Sequence, residues 1–453
     1  MAALAAVAAL APGRAGAVDL VEDRLQLFGF AKSLTSYAHP TDARGRWETL
    51  TRLRPGLRWN ALRAEGIEVD VEAVYEIRAR AFEGGGGATG DEVGGAGGFL
   101  ALGALPRVVD LDKRIADGDH LEVVHEVDRL ILGVHHDRFR LLVGRQGVTW
   151  GIGSIWSPED RFVPFNPTEI DQYEKRGIDA VRATLYPSDL SQLDLVWVPA
   201  PRGRSSDHAR AGGRLTVNVR GYDVTAMGAY FDRDWVLGGD LRGNLGDAAV
   251  RLEATYTLAD PRVGREARVP VRDAINAARL DPSTGMLLPG ETLARAPARG
   301  DFVEVVAGVD YSVGDLTMTF EYYFNGEGFR HPEDFVFGLP RLAQGEAQQL
   351  GRHYAAAVFS YQATPLLTLN HTAIAAIGAP ASAFTATSLA YNLLANLDVE
   401  VGVDLTLGAR SPLGGRFAAL GPTGALDLRL TRVTKGEFQN YPDIVYAKIQ
   451  YFF

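Results

Sequence analysis

The sequence predicts an all-β chain: a transmembrane, antiparallel, up-and-down β-barrel of about eighteen strands. Three observations carry that prediction. Apolar and polar residues alternate with period two in segments of about ten residues, the length a tilted membrane-crossing strand requires. The links between these segments are brief on one side and long on the other. Beyond residue 17 there is no run of about 18 apolar residues that could form a spanning helix. At 453 residues the chain exceeds an ordinary soluble domain, and one large sheet closed on itself accounts for the length.

Composition removes several classes. The chain carries 46 Lys and Arg against 56 Asp and Glu, a net charge of -10, which leaves no electrostatic footprint for nucleic acid. With no cysteine, disulfide frameworks, Cys-ligated zinc, iron–sulfur clusters and thiol catalysis are excluded. Its 51 Gly, 20 Phe, 16 Tyr and 6 Trp suit a β-rich chain that shows its side chains to two environments.

Residues 1–17, MAALAAVAALAPGRAGA, form an apolar run ending in Ala15-Gly16-Ala17, the small-x-small pattern of a signal-peptidase site. A signal peptide is therefore expected over 1–17, with a single-domain barrel from 18 to 453. No Lys or Arg precedes the apolar stretch, which makes the leader atypical and suggests a true translation start further upstream; a frayed Ala-rich helix is the alternative. An exported chain without a spanning helix is periplasmic, secreted or a membrane barrel, and the alternation decides among these.

From Ile67 to Ala81 the odd positions are Ile67, Val69, Val71, Ala73, Tyr75, Ile77 and Ala79, while the even ones include Glu68, Asp70, Glu72, Glu76, Arg78 and Arg80. One face suits lipid and the other water. Residues 397–407 and 316–324 repeat the pattern. A soluble sandwich also alternates, so the weight lies in repetition. Segments are expected near 25–37, 46–61, 67–81, 120–133, 138–150, 178–187, 189–199, 212–219, 221–231, 234–243, 246–259, 301–312, 315–325, 351–363, 366–377, 382–394, 397–409 and 443–453.

The links test that count. All even-to-odd links are brief, from Leu62 to Gly66 through to Ala395-Asn396, as periplasmic turns of bacterial barrels are. The long links, 82–119, 151–177, 200–211, 260–300, 326–350 and 410–442, all fall on the other side. The weak member is strand eight, 212–219, which is short and begins with two Gly; without it the rival count is sixteen.

The last residues, Tyr446 to Phe453, carry apolar side chains at Ala447, Ile449, Tyr451 and Phe453. Here the chain resembles Gram-negative outer-membrane β-barrels, whose closing strand ends in Phe. The resemblance implies an outer-membrane location, contact with outer-membrane lipid and lipopolysaccharide, and Ile449, Tyr451 and Phe453 as the signal read by the barrel assembly machinery. An edge strand ending in Phe is the plainer reading.

Residues 144–179 read GRQGVTWGIGSIWSPEDRFVPFNPTEIDQYEKRGID. Their Gly-Arg-Gln, Trp-Gly and Asn-Pro pattern is similar to one in poorly characterised porin-like outer-membrane families. It covers less than a tenth of the chain and names no solute. Trp150, Trp156, Phe162, Phe165, Pro158, Pro164 and Pro167 make a stiff aromatic segment that either folds into the lumen as a constriction or caps the rim. If it folds inward, Glu159, Asp160, Arg161, Glu169, Asp171, Lys175 and Arg176 are candidate lining charges. Arg145 is a further candidate, with its facing open because alternation slips at Leu141-Leu142, where a bulge is expected.

The inner face reads as acidic. Glu68, Asp70, Glu72, Glu76, Glu122, Glu126, Asp128, Asp194, Glu253, Glu304, Asp310, Glu321, Asp398, Glu400 and Asp404 stand against Arg78, Arg80, Arg140, Arg182, Arg242, Arg251 and Lys448. Of these, Glu72, Glu76, Arg78, Glu126 and Asp128 are the candidate pore-lining wall residues. Rings of carboxylate in a water-filled pore favour cations, although opposite charges on neighbouring strands also stabilise a barrel wall.

No catalytic motif is complete. Gly151-Ile152-Gly153-Ser154 lacks the Gly-x-Ser-x-Gly spacing, and the Gly run at 84–98 is not followed by the Lys-Ser/Thr of a phosphate loop. His135-His136 has no third metal ligand nearby, and Asp110, Asp112, Asp117 and Asp119 lack the twelve-residue calcium-loop pattern. His371 near Ser360 and Asn370 resembles the Ser/His pair of outer-membrane hydrolases, without sequence placing them together.

No cofactor and no metal are expected, and the chain is not expected to be an enzyme. The expected function is passive diffusion of small hydrophilic solutes, neutral or cation-preferring. The alternatives are an export barrel for a polysaccharide or lipidic molecule working with periplasmic partners, and a non-conducting adhesion or structural barrel. Self-association into a homo-oligomer would need an apolar patch shared by adjacent strands, which alternation cannot separate from the lipid face.

Overall fold

Alternation becomes architecture in the computed structural model. It describes residues 18–453 except 23, 40–44, 84–106, 165–166, 169, 171–173, 202, 204, 262–267, 271–292, 296–299, 331–334, 336–346, 379–380, 409–436 and 439–440, with backbone only at 268–270 and 293–295. Eighteen strands close one antiparallel barrel: β1 Leu25–His39, β2 Arg46–Ala64, β3 Ile67–Phe82, β4 Leu121–His136, β5 Phe139–Gln146, β6 Ile178–Ser188, β7 Ser191–Val198, β8 Arg210–Val219, β9 Tyr222–Phe231, β10 Asp234–Leu245, β11 Ala248–Leu258, β12 Phe302–Val313, β13 Leu316–Asn325, β14 His353–Thr364, β15 Leu367–Ala376, β16 Ser382–Leu394, β17 Leu397–Gly408 and β18 Asp443–Phe452. Each strand pairs with its sequence neighbours. β18 also pairs with β1, from Phe30 opposite Phe452 to His39 opposite Asp443. The last residue completes this seam, since Gly29 and Phe453 exchange backbone hydrogen bonds at 2.7 and 3.0 Å. Closure leaves the barrel no free sheet edge.

The side chains sort as the period requires. Trp59, Leu132, Leu195, Trp197, Leu237, Leu252, Phe320, Leu389, Val401 and Val445 are exposed on the outside, while Arg52, Glu76, Glu126, Asp194, Glu253, Glu321 and Asp404 are buried within. A soluble sheet would bury the first set and expose the second. Burying charge while showing Leu and Trp is stable only where the outside is lipid. Among the described residues no helix is long and apolar enough to cross a membrane.

Turns on one side are uniformly two residues long, from Glu65-Gly66 between β2 and β3 to Ala395-Asn396 between β16 and β17. Glu65-Gly66 and Arg220-Gly221 have positive φ at both positions, which is the hairpin turn whose twist matches the flanking strands.

Three expectations need correction. Strand eight is no weak member: β8 runs for ten residues in full register with β7 and β9, which excludes the sixteen-strand count. Its Gly212 is an accommodation, because a Cβ there would stand 2.9 Å from the Trp150 ring. The segment expected at 138–150 leaves the wall at Gln146. Finally, no bulge lies at Leu141-Leu142, whose register to both neighbours is continuous. The shift is one strand earlier, where Val74 faces Arg129 and Tyr75 faces Val127, leaving Asp128 as the extra residue. That bulge turns Glu126 inward yet Leu130 and Leu132 outward on one strand. A short strand, Asp112–Asp117, pairs with the part of β4 that lies beyond the end of β5. A second, Val18–Val21, pairs with the start of β1, and Arg268–Pro270 pairs with Leu293–Arg295 apart from the barrel.

Candidate functional site

Having left the wall at Gln146, the chain packs against the inner face of the barrel and returns to it at Ile178. Its outgoing limb rests on two apolar patches. Val148, Trp150, Phe162 and Val163 join Val196, Met227, Ala229 and Phe231 from β7 and β9. The Trp150 and Phe162 rings meet edge-on at 4.9 Å, and Trp150 Nε1 donates to Asp194 at 2.8 Å. Further along, Trp156 stacks on Tyr323 at 5.5 Å and meets Tyr354 at 5.8 Å, so this limb reaches from β7 to β14. Phe438 and Tyr441 join the second patch.

Wall carboxylates hold the backbone of this limb. Glu253 on β11 accepts from the amides of Ile152 (2.8 Å), Gly153 (3.1 Å) and Glu159 (2.7 Å) and from Ser157 Oγ (2.8 Å). Glu321 on β13 accepts from the amides of Ser154 (3.0 Å) and Ile155 (2.8 Å). Successive amides converging on one anion form a nest, and it explains the Gly-Ile-Gly-Ser sequence. Gly151 has φ +80 and Gly153 lies so close to Trp156 that a Cβ would meet its carbonyl at 1.7 Å. A buried carboxylate with several amide donors is a strong acceptor in a low dielectric. Gln348 doubles the clasp by exchanging hydrogen bonds with the Ser157 backbone at 3.2 and 2.7 Å. Glu437 plays the same part for the neighbouring segment, accepting from Leu350 N at 2.9 Å and from the Tyr354 hydroxyl.

The return limb lies against β2, β3 and β4, on a lattice of opposite charges. Arg52 forks onto Glu76 at 2.8 and 3.0 Å. Arg54 reaches Asp128 at 2.7 Å, Glu76 at 3.3 Å and Glu174. Glu126 collects Arg78 (3.0 Å), Arg107 (2.6 Å) and Arg176 (3.3 Å), and Arg129 bonds Asp128 at 2.7 Å. Gly177 N donates to Asp128 at 2.9 Å, which ties the limb down at its exit.

Placement of the candidate residues follows from these contacts. Glu76, Arg78, Glu126, Asp128 and Arg176 meet in the lattice, and Glu72 pairs with Arg58 at 2.7 Å nearer the two-residue turns. Asp160 and Lys175 bond to each other and join the two limbs. Arg161 reaches Glu304 and, at 3.1 Å, Thr257. Glu159 is buried beside Arg214, Asp240 and Glu253; burial and the two acidic neighbours push its carboxyl up to about 9. Burial lowers the Lys175 ammonium to about 7. Glu169 and Asp171 lie outside the described residues.

Arg145 does not line the lumen. It bonds Asp179 at 2.9 Å, the Val127 carbonyl at 3.1 Å and the Val109 carbonyl, so it closes the wall where β5 stops. Ile449 sits on β18, and Tyr451 and Phe453 stack at 6.4 Å beside the closing seam.

Sequence reasoning missed Arg52, Arg54, Arg107, Arg129 and Glu174. The first two sit at inward positions of β2 and could have been found by extending its alternation; Arg107 comes from a long loop with no periodic signal. Glu253 and Glu321 were placed on the inner face, but not as anchors. Ser360 Oγ bonds Asn370 at 2.8 Å, whereas His371 bonds Thr387 at 2.8 Å on the opposite face of the wall, so no Ser/His pair forms. His135 bonds Asp70, and among the described residues no group of three ligands could hold a metal.

Fold and site together define an eighteen-stranded porin-like barrel carrying an inward-folded segment. No protein-family model matches the chain, and no curated protein matches it in sequence. Solved structures of the same fold include Pseudomonas aeruginosa OpdQ, at 8% identity and TM-score 0.52 over 96% of this chain and 99% of that one. Others are P. aeruginosa OpdK with vanillate (10%, 0.52, 96% and 99%) and a BenF-like porin from Pseudomonas fluorescens Pf-5 (10%, 0.51, 96% and 99%).

Proposed function

We propose that the chain is a passive diffusion channel of the outer membrane for small hydrophilic solutes, narrowed by residues 147–177. The observation that supports this reading is the docking of that segment on the inner face by Glu253 and Glu321, an anchorage suited to a fixed constriction. The same observation changes the expected selectivity. A cation preference rested on summing the inner carboxylates, yet Asp194, Glu253, Glu304 and Glu321 are engaged by the docked segment. Among the described residues along β2 to β4 and the return limb, six guanidinium groups, Arg52, Arg54, Arg78, Arg107, Arg129 and Arg176, meet five carboxylates, Glu76, Asp112, Glu126, Asp128 and Glu174. A row of fixed guanidinium groups beside a narrow aqueous path attracts small anions. Our reading is therefore neutral to anion-preferring, with small carboxylates as the first solutes to try. Vanillate, a small carboxylate, accompanies OpdK in its solved structure.

The test is single-channel recording of the purified barrel in a planar bilayer with a KCl gradient. Stable conductance with a chloride-side reversal potential is expected, and Arg54→Ser should shift it toward potassium. A potassium preference in the wild type would overturn the selectivity. A folded but silent barrel would overturn the channel and favour partner-dependent export or adhesion.

A further inference from the structure

At the crest above β14 and β15, on the side of the long loops, two guanidinium groups, those of Arg330 and Arg352, line one hollow. Burial, and after it the like charge of Arg330, holds Arg352 below its usual value. Arg352 Nε donates to the Gly328 carbonyl at 2.7 Å, and among the described residues neither guanidinium has a carboxylate partner. Other arginines near this end do have one: Arg233 with Asp207, Arg210 with Asp232 and Arg80 with Glu48. Among the described residues lining the hollow the carboxylate is Glu437, which is engaged by Tyr354 and by the amides of Leu350 and Gly351. Like charges left side by side cost free energy that an anion would recover.

The pair borders a hollow of about 290 Å³, open to solvent, whose other walls include Phe329, Phe335, Ile377 and His353. Ile377 is half exposed. Directly beneath, on the outer face, Tyr322 Oη bonds His353 Nδ1 at 2.7 Å and Phe324 lies 5.2 Å from the His353 ring. Aromatic groups of this kind sit at the level of lipid headgroups. The hollow is thus apolar where acyl chains end and cationic where phosphates begin.

We propose that this crest binds a phosphorylated lipid of the lipopolysaccharide-bearing leaflet, with its phosphate on Arg330 and Arg352 and apolar chain in the hollow against Phe329 and Ile377. The site rests on the outer-membrane reading above. Two guanidinium forks suit phosphate oxygens as paired ammonium groups would not.

The test is native mass spectrometry of the full-length barrel in detergent with bisphosphorylated lipid A, the same lipid after removal of its phosphates, and inorganic phosphate. The bisphosphorylated lipid should bind about tenfold or more tightly than the dephosphorylated one. Arg330→Ala with Arg352→Ala should erase that difference, and Arg138→Ala, at the opposite rim, should leave it intact. Ile377→Glu, a single change at the hollow, should weaken the lipid and serves if the double variant does not fold. Equal binding of both lipids, equal loss in Arg138→Ala, or full displacement of the lipid by equimolar inorganic phosphate would each overturn the proposal. A barrel that inserts and conducts but shows no lipid preference refutes this site alone; one that fails to insert into lipopolysaccharide-containing membranes refutes the outer-membrane reading.

Discussion

Replacing Glu253 by Ala should release the inward segment while leaving the barrel closed. Four donors, the amides of Ile152, Gly153 and Glu159 and the hydroxyl of Ser157, end on this one carboxylate, all within 3.1 Å. A buried donor without its acceptor costs about 1–3 kcal/mol, so the four together would cost about 4–12 kcal/mol if the site stayed dry and rigid. Water will enter the space left by the side chain, and Glu321 with the Trp150 and Trp156 patches will still hold the flanks. The net loss expected is therefore about 3–5 kcal/mol, in the range for removing one partner of a buried charged network. Amide hydrogen exchange reads it directly, because local opening is reported residue by residue. Protection at Ile152, Gly153 and Glu159 should fall by roughly two to four decades at about 1.4 kcal/mol per decade, while β16 and β17 amides keep theirs. Conductance of the same variant should rise and become noisy. Unchanged protection at the three amides would refute the anchoring argument, whatever the conductance did.

Other predictions follow from single contacts. Glu159 has its carboxyl raised from 4.5 to about 9, so between those values the docked segment holds a proton that the released one gives up. The Glu159 contribution to docking should therefore be lost as pH rises, so proteolytic release of residues 147–177 in the wild type should increase relative to Glu159→Gln, a comparison in which the opposite contribution of Lys175 cancels; a wild type that docks progressively better than Glu159→Gln as pH rises would contradict the assignment. Gly402 on β17 lies under Tyr446, whose ring carbon a Cβ would meet at 2.4 Å and whose hydroxyl bonds Glu400 at 2.8 Å. Gly402→Val should cost about 1–3 kcal/mol by overpacking, seen as a lower urea midpoint, and a neutral result would mean the ring is free to swing away. Deleting Phe453 removes its two backbone bonds to Gly29 and the stacking on Tyr451. The amount of barrel inserted in cells should fall, and full insertion would remove these residues as an assembly signal.

Strand number, order and sidedness were legible because they depend on period two and on link length, both local. Seven alternating positions from Ile67 to Ala79 fix which face of β3 meets lipid, and a two-residue link leaves the next strand no option but to pair beside it. The apparent weakness of β8 came from judging Gly212 by propensity alone, when what matters is the Trp150 ring resting on it from 62 residues away in sequence.

The bulge expected at Leu141-Leu142 failed for a similar reason, since residue type was read without its packing. Two successive Leu look like a slip only if both face lipid, whereas Leu142 is buried on the inner face, Val143 is exposed outside and the register of β5 is continuous; the extra residue at Asp128 belongs to the separate pairing of β3 with β4. Lumen charge was the least legible property. The sequence by itself placed Glu253, Glu321 and Asp194 inside, because facing follows from parity. Only the tertiary structure decided that these charges are engaged by amides and an indole N–H of a segment about a hundred residues away in sequence for Glu253, while Arg52, Arg54 and Arg107 gather opposite. A side chain's direction is a local consequence of backbone period, whereas the charge left for a solute depends on every partner the fold brings within hydrogen-bond reach.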